Sequence, residues 1–299
     1  MRSNSGKVLP VVLVVLAVLI VAGTVGAIFY VDHLQGQKYK NTSSRIPVGF
    51  FMGVDNASEE TLNRYAEYDV VALNPEEYDT GDIGLLKIKN VSTMAYINLA
   101  VADTSADYFK DSYKDLVLDA YKGSKDKVWM DITNHTWEDY VLAKVGEITA
   151  KGFDAYLVDG CDIYFYATNG AGADKVDSGA VRDSIIQILK EMKRRHKKVY
   201  IMNADTFISY CLRNNESVAD LFDGICQESA FTVVDPETGK FEEAPGITYY
   251  EAYLKKCANA GLYVSLLEYS KDPAVKAKIK AFCEENGYDY YIAESAGLD

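Results

Sequence analysis

The chain has 299 residues, of which 48% are hydrophobic and 25% are charged, and its formal net charge is −13. This composition excludes a largely disordered chain, and the length suits one large α/β barrel or two ordinary domains. The first 45 residues hold five of the 31 basic and one of the 44 acidic residues, so the remainder has a net charge of −17. Such an acidic surface disfavours nucleic acid as a partner and favours cationic ligands.

An uncharged segment, VLPVVLVVLAVLIVAGTVGAIFYV, occupies residues 8–31. A helix of this length, at about 1.5 Å per residue, spans a hydrocarbon core of about 30 Å. We predict a single membrane anchor here, preceded by a cytoplasmic segment, residues 1–7, and followed by a polar tether, residues 32–46. The alternative is a cleaved signal peptide, because VGA at 25–27 resembles a small-residue cleavage site. In both cases we expect residues 47–299 to be extracellular, and the anchored form to be a single-pass protein of the cell membrane.

From residue 47 onward, apolar runs rich in β-branched and aromatic residues alternate with segments of helical spacing. This alternation predicts a parallel sheet covered by helices. No glycine-rich phosphate loop follows any run, so we predict a (β/α)8 barrel of TIM type over residues 47–299 rather than a doubly wound sheet. Nine runs are one too many for this barrel, and we expect KVWMDIT, residues 127–133, to be an extra strand or an extended segment at the rim.

Polar residues concentrate at the ends of these runs, where the active site of such a barrel lies. Carboxylates and amides with nearby aromatic rings suit a carbohydrate site, because they supply acid–base groups, hydrogen-bond partners for hydroxyls and stacking surfaces. The residues at or near the run ends include Tyr96, Asn98, Asp131, Asp159, Asp162, Tyr164, Asn203, Asp205, Glu228, Glu268 and Tyr269.

Two of these acids, Asp159 and Glu228, are candidates for the pair of carboxyl groups that glycoside hydrolysis requires. They end strands four and six if KVWMDIT is not a barrel strand, and we expect them to face each other across the mouth with raised pKa values. The alternatives are a helix cap for Asp159 and a surface loop for Glu228. For Asp162 we expect orientation of Asp159 or substrate binding, with a loop cap as the alternative.

No cofactor or metal is expected. The three histidines, at 33, 135 and 196, are too far apart in sequence for a zinc site, and no CxxC, GxSxG or calcium-loop motif occurs. We interpret the five cysteines as small buried hydrophobic residues.

Five motifs in order, MAYINLA, KVWMDIT, GFDAYLVDGCDIY, YIMNAD and GICQESAF, resemble those of the endo-α-1,4-polygalactosaminidases, glycoside hydrolase family 114. The resemblance covers roughly residues 47–299 and implies a (β/α)8 barrel that cleaves α-1,4-linked galactosamine-rich polymers with retention. It implies Asp159 as nucleophile and Glu228 as acid/base. Tyr96, Asp131, Asp162 and Asn203 would line the subsites, and the strand ends add Asn98, Tyr164 and Glu268 to the expected substrate-binding residues.

The predicted function is therefore that of a membrane-anchored extracellular glycosidase. Its substrate would be a cationic amino-sugar exopolysaccharide, cleaved during secretion or in a biofilm, with the secretion machinery as a possible partner. Two alternatives stay open. The first is a non-catalytic barrel that binds or assembles polysaccharide, and the second is a glycosidase for another glycan.

Overall fold

The computed structural model describes residues 45–299 except 56, 196, 215, 216, 236, 237 and 239. The predicted anchor, residues 8–31, lies outside the described residues. Within the part of the chain that is described, no helix combines the length and the hydropathy needed to cross a bilayer.

Strands and helices alternate along most of this part of the chain. The strands are β1 Ile46–Phe51, β2 Tyr68–Leu73, β3 Ser92–Asn98, β4 Val101–Asp103, β5 Val117–Ala120, β6 Lys127–Met130, β7 Ala155–Asp159, β8 Lys198–Met202, β9 Gly224–Glu228, β10 Thr232–Val234, β11 Phe241–Glu243, β12 Tyr263–Tyr269 and β13 Asp289–Ala293. The α-helices are α1 Glu59–Tyr65, α2 Thr80–Ile88, α3 His135–Lys151, α4 Ile163–Asn169, α5 Ser178–Arg194, α6 Asp205–Arg213, α7 Ile247–Asn259 and α8 Pro273–Asn286.

Eight strands form one parallel sheet in the order β1-β2-β3-β7-β8-β9-β12-β13. The sheet is nearly closed, because β1 lies beside β13 and the rings of Phe50 and Tyr291 are 6.0 Å apart. The prediction of an eight-stranded α/β barrel consistent with the TIM type is therefore confirmed. β7 and β9 are the fourth and sixth barrel strands, and β8 lies between them.

The segment KVWMDIT is outside the barrel, as predicted. Its residues Lys127–Met130 form β6, the central strand of a small antiparallel sheet with β4 and β5. This sheet is inserted between β3 and α3. A second insertion, the antiparallel hairpin of β10 and β11, follows β9.

The apolar residues occupy two layers, one inside the barrel and one between the barrel and its helices. Helix α5 shows how the sequence produces the outer layer: its apolar residues recur at helical spacing, so they share one face, and that face is fully buried. The five cysteines are all buried, as expected. The buried residues of α5 are Val181, Ile185, Ile188, Leu189 and Met192.

Candidate active site

Strand alternation brings a set of polar side chains to one rim of the barrel. Ala155 and Leu157 of β7 belong to the same buried cluster as Cys226 of β9. Since side chains on a strand alternate with a period of two, Asp159 and Glu228 continue these inward-facing rows at the carboxyl ends of β7 and β9. One strand, β8, thus separates the two acids around the rim, so they do not lie on opposite sides of the mouth as the sequence suggested.

Asp159 is held by three hydrogen-bond donors. The Tyr96 hydroxyl donates to its Oδ2 at 2.7 Å, and Asn98 Nδ2 donates to the same oxygen at 3.3 Å. The backbone N–H of Gly160 donates to Oδ1 at 2.7 Å. Asn98 is directly paired with Asp159 in the sheet register, so β3 presents both donors to the end of β7. These bonds fix the carboxylate and favour its ionised form.

Asn98 is itself oriented by the backbone that follows it. Its Oδ1 accepts hydrogen bonds from the N–H groups of Ala100 at 3.0 Å and Val101 at 2.8 Å. The amide nitrogen is consequently the end that faces Asp159.

Residues at the ends of the two neighbouring strands, β8 and β12, donate hydrogen bonds to Glu228. The Tyr269 hydroxyl donates to its Oε1 at 2.5 Å, and Asn203 Nδ2 donates to Oε2 at 3.3 Å. Asn203 Oδ1 in turn accepts the backbone N–H of Glu228 at 3.0 Å and Gln227 Nε2 at 3.1 Å. Asn203 therefore holds both the backbone and the carboxylate of Glu228.

Three residues at this rim have backbone angles that side chains rarely adopt. Asn203, Ala204 and Ser229 have φ values of 58°, 59° and 57°, respectively. Left-handed residues other than glycine are uncommon and cluster at functional sites. Here the conformation turns Asn203 toward Glu228 directly after β8 ends.

Burial dominates the electrostatics of both acids. Burial raises the pKa of Asp159, and the hydrogen bonds from Tyr96, Gly160 and Asn98, together with the charge of Lys127, oppose this rise. Burial also raises the pKa of Glu228, against the hydrogen bond from Tyr269, and the negative charge of Asp159 raises it further. The two carboxyl groups are therefore close enough to influence each other.

Asp162 is a third acid at this rim. Burial, followed by the charge of Asp159, raises the pKa of Asp162 to about 7. Asp162 precedes α4, but its side chain makes no capping hydrogen bond to that helix. The side chain therefore does not cap α4, and its carboxylate accepts the N–H of its own residue.

The structure does not place Glu268 at the mouth, which corrects one sequence-based expectation. Glu268 is 0% exposed, and its carboxylate accepts the backbone N–H groups of Ala230, Phe231 and Thr232. The reason is strand alternation: its neighbour Tyr269 points into the barrel, so Glu268 points outward. Its role is to hold the segment that follows Glu228.

Two further residues that were expected to bind substrate, Asp131 and Tyr164, have local partners. Asp131 Oδ1 accepts the backbone N–H and the hydroxyl of Thr133, so this carboxylate shapes the turn before α3. The buried ring of Tyr164 packs against Phe207 and Tyr210 of α6, which places it in the helical layer. In the described part of the chain, no hydrogen bond or ring contact joins either side chain to Asp159 or Glu228.

The sequence predicts no role for two tyrosines at this site. Tyr269 ends a strand, and the alternation of side chains along that strand, with Glu268 facing outward, is the signal that identifies it. Tyr121 follows β5 in the inserted sheet, and its ring lies 4.9 Å from that of Trp129. Burial and then the charges of Asp162, Asp159 and Glu228 raise the pKa of Tyr121, so it lies close to all three acids. No sequence signal identified it, because the inserted sheet carries it there.

A groove of about 610 Å³ has neither of the two acids in its lining. It runs between the β10–β11 hairpin and the start of α8, and Phe231, Phe241 and Val275 form its apolar walls. The ring of Phe241 is 6.3 Å from that of Tyr269, which contacts Glu228. The groove therefore adjoins the Glu228 side of the site. In the described part of the chain, no group of three or more His, Cys, Asp or Glu side chains is arranged to hold a metal ion.

Known structures share this architecture. The glycoside hydrolase domain of PelA from Pseudomonas aeruginosa is 17% identical, with a TM-score of 0.69 over 85% of this chain and 96% of that domain. Aspergillus fumigatus Ega3, solved in complex with galactosamine, is 13% identical, with a TM-score of 0.62 over 86% of this chain and 92% of that one. At these identities the likeness concerns the fold. No curated protein matches the chain.

A parallel barrel with carboxyl groups at the carboxyl ends of its strands is typical of glycoside hydrolases. The family model of glycoside-hydrolase family GH114 matches residues 46–296, which is nearly all of the described part. The chain belongs to this family.

Proposed function

We propose that the protein cleaves α-1,4-linked galactosamine-rich polysaccharide with Asp159 and Glu228 as its two catalytic carboxyl groups. The observation that carries the proposal is their arrangement at the ends of β7 and β9, where each is partly buried and held by dedicated hydrogen-bond donors. Membership of family GH114 supports a glycosidase. The structural likeness to Ega3, which was solved with galactosamine, supports the choice of sugar.

The surroundings of the two acids support different roles for them. Asp159 has three donors and the nearby positive charge of Lys127, which all favour the carboxylate. Glu228 has the negative charge of Asp159 beside it, which favours the protonated form. We therefore assign Asp159 as the nucleophile and Glu228 as the general acid.

In this mechanism Asp159 attacks the anomeric carbon while Glu228 gives its proton to the glycosidic oxygen, and the leaving chain departs as an alcohol. A water molecule then attacks the glycosyl–enzyme ester, and Glu228 takes its proton. Two displacements at one carbon give net retention of configuration. Tyr96 and Asn98 orient the nucleophile, and Asn203 and Tyr269 orient the acid.

The charge of the protein supports a cationic substrate. The chain after residue 45 has a net charge of −17, and the rim itself holds Asp159, Asp162 and Glu228. A galactosamine polymer without acetyl groups carries one ammonium group per sugar, so it is attracted to this rim.

Reducing-end release from a galactosamine polymer tests this function. We expect Asp159→Asn and Glu228→Gln each to lower kcat by about 10³-fold or more. Asp220→Asn and Glu251→Gln, which change exposed acids on other elements, should leave kcat within about twofold. Binding without cleavage by the wild type would indicate a polysaccharide-binding barrel. Cleavage of another glycan alone would indicate a different specificity.

We also propose that residues 8–31 anchor the enzyme in the cell membrane with the barrel outside the cell, where an exopolysaccharide and its secretion machinery are found. The support is the uncharged 24-residue segment itself. We expect the full-length protein to stay with membranes after an alkaline wash, and external protease to digest the barrel in intact cells. Release of the barrel into the medium would instead indicate a cleaved signal peptide.

A further inference from the structure

A fully buried carboxylate that takes no part in the proposed reaction binds the segment that follows Glu228. Glu268 is 0% exposed, and both of its carboxylate oxygens accept hydrogen bonds. Its Oε1 accepts the backbone N–H groups of Ala230 at 2.9 Å and Phe231 at 3.1 Å. Its Oε2 accepts the backbone N–H groups of Phe231 at 3.2 Å and Thr232 at 2.9 Å. One side chain thus holds three consecutive residues of the chain.

Stability alone does not account for this carboxylate. Among the described residues, no side chain forms an ion pair with Glu268, and burial raises its pKa to about 7 against the hydrogen bonds from the bound segment. The titratable groups on which its charge acts are Cys226 of β9, Tyr250 of α7, Tyr269 of β12 and Cys283 of α8, and none of them is a cation. A buried carboxylate without a cation is costly for the fold, so a benefit in the active site would offset that cost.

The Thr232 hydroxyl links Glu268 to Tyr269. This hydroxyl donates to Glu268 Oε2 at 2.8 Å, and it accepts the backbone N–H of Tyr269 at 2.8 Å. Tyr269 in turn donates its phenolic hydroxyl to Glu228 Oε1 at 2.5 Å. A chain of hydrogen bonds therefore connects the buried carboxylate to the proposed general acid.

A second link runs through the β10–β11 hairpin. Thr232 is the first residue of β10, and Val234 of the same strand is paired with Phe241 of β11 in the sheet register. The ring of Phe241 lies 6.3 Å from that of Tyr269. Because Glu268 fixes the start of β10, both the backbone and the ring of Tyr269 depend on the segment that Glu268 holds.

We propose that Glu268 is a positioning residue for proton transfer by Glu228 and that it acts through Tyr269. Its two oxygens hold three N–H groups and one hydroxyl, and loss of these acceptors displaces the Tyr269 hydroxyl from Glu228. The effect concerns the step in which Glu228 gives its proton to the glycosidic oxygen. This inference rests on the proposed function, because it takes Glu228 as the general acid.

Two substrates that differ in their need for this proton test the role. The leaving sugar of a galactosamine polymer must be protonated as it departs, whereas 2,4-dinitrophenolate departs without a proton. For each substrate, kcat/KM reports the loss of transition-state stabilisation in a variant. Glu268→Gln removes the charge and turns an N–H₂ group toward the backbone donors. We expect it to lower kcat/KM about tenfold on the polymer and less than about twofold on a 2,4-dinitrophenyl α-glycoside of galactosamine.

A double variant tests whether the effect passes through Tyr269. In a Tyr269→Phe background, Glu268→Gln should lower kcat/KM on the polymer by less than about twofold further, because the hydroxyl through which it acts is already missing. Thr232→Val removes only the hydroxyl between Glu268 and the backbone of Tyr269. It should show the same preference for the activated substrate, with about a threefold loss on the polymer, and it serves as the test if Glu268→Gln does not fold.

Glu138→Gln is the matched control, because Glu138 is also a buried carboxylate, 7% exposed, and accepts Gln187 Nε2 at 2.6 Å between α3 and α5. It should leave kcat/KM on both substrates within about twofold. Equal losses on the two substrates in Glu268→Gln and Thr232→Val would overturn the inference, since a purely structural role affects both alike. Full additivity with Tyr269→Phe would overturn it as well. If the wild type cleaved neither substrate, the proposed function itself would fail, and the inference with it.

Discussion

Tyrosine hydroxyls hold both carboxyl groups of the site, and each hydroxyl biases the protonation of its partner. Tyr96 donates to Asp159, and Tyr269 donates to Glu228. Both hydrogen bonds favour the ionised carboxylate and so lower its pKa, although burial raises it overall. In the proposed mechanism Asp159 must be ionised and Glu228 protonated, so the two tyrosines act on opposite limbs of the pH profile.

Tyr269→Phe should move the alkaline limb of kcat/KM to higher pH by about one unit, because a charge-assisted hydrogen bond that lowers the pKa of Glu228 is lost. Glu228 then stays protonated to a higher pH. The measurement is the pH profile of reducing-end release, with the acidic limb as an internal control. A shift of the alkaline limb to lower pH would contradict the assignment of Glu228 as the acid.

Tyr96→Phe should move the acidic limb to higher pH by a similar amount, about one unit, because the pKa of Asp159 rises when its donor is removed. The nucleophile then loses its charge earlier as the pH falls. The alkaline limb should stay in place. If the alkaline limb alone moved in this variant, the roles of the two acids would have to be exchanged.

Asp162 should make the protein less stable as the pH rises. The pKa of Asp162 is about 7 in the folded state against 3.8 for the unperturbed group. Its favourable contribution to the free energy of unfolding is therefore complete below about pH 4, and it is lost as the pH rises through 7. We expect Asp162→Asn to raise the free energy of unfolding at pH 8 by about 2 kcal/mol and to have little effect at pH 4. Thermal unfolding at both pH values measures this, with the exposed Asp220→Asn as control. A larger gain at pH 4 than at pH 8 would contradict the argument.

The turn after β7 positions Asp159 through one glycine. Gly160 has a φ of 81°, and its N–H donates to Asp159. A Cβ atom at this position would lie 2.3 Å from Asn98 Oδ1 and 2.9 Å from the backbone N of Ala100. Glycine is therefore required here both by the left-handed backbone and by the close approach of β3.

Gly160→Ala should lower kcat by about 10²-fold, since Asn98 must move and a displacement of about 1 Å in a catalytic group is this costly. Gly261→Ala is the matched control, because Gly261 has the same φ of 81° but nothing within 4 Å of its added Cβ. Both variants should lose about 1 kcal/mol of stability from the left-handed backbone. Equal kcat values for the two variants would show that contact with Asn98 does not matter.

The insertions complete the site that the barrel begins. The small sheet of β4, β5 and β6 brings Tyr121 close to the three acids, and the β10–β11 hairpin brings Phe241 to the ring of Tyr269. Glu268 fixes the start of this hairpin by accepting hydrogen bonds from the backbone of residues 230–232. The barrel thus supplies the carboxyl groups, and the insertions supply aromatic walls on either side of them.

The charge of the chain as a whole should affect encounter with the substrate. With a net charge of −17 after residue 45, the protein attracts a polycation over a distance that salt shortens to about 8 Å at physiological ionic strength. We expect kcat/KM on a deacetylated galactosamine polymer to fall about tenfold between 20 and 300 mM NaCl, and to change little on a fully N-acetylated polymer. An equal response of both polymers to salt would contradict steering by charge.

The barrel could be predicted from the sequence because its elements are defined by local patterns. Apolar runs alternate with segments of helical spacing. There is one run more than a barrel of eight strands needs, and this count separates the segment around Trp129 from the barrel. The candidate pair could also be predicted, since Asp159 and Glu228 each end an apolar run. Glu268 ends such a run as well, but it points outward. Only its place on the strand, one residue before the inward-facing Tyr269, distinguishes it from Glu228.

The sequence by itself determined the order of the elements, the excess of negative charge and the positions of the two acids, because each depends on residue type and on short-range spacing. Only the tertiary structure decided which side chains meet at the rim. Tyr121, Asn203 and Tyr269 reach the acids through strand register, left-handed turns and an inserted sheet. These features join residues far apart in the chain, and their energies come from packing and hydrogen bonds that no local pattern contains.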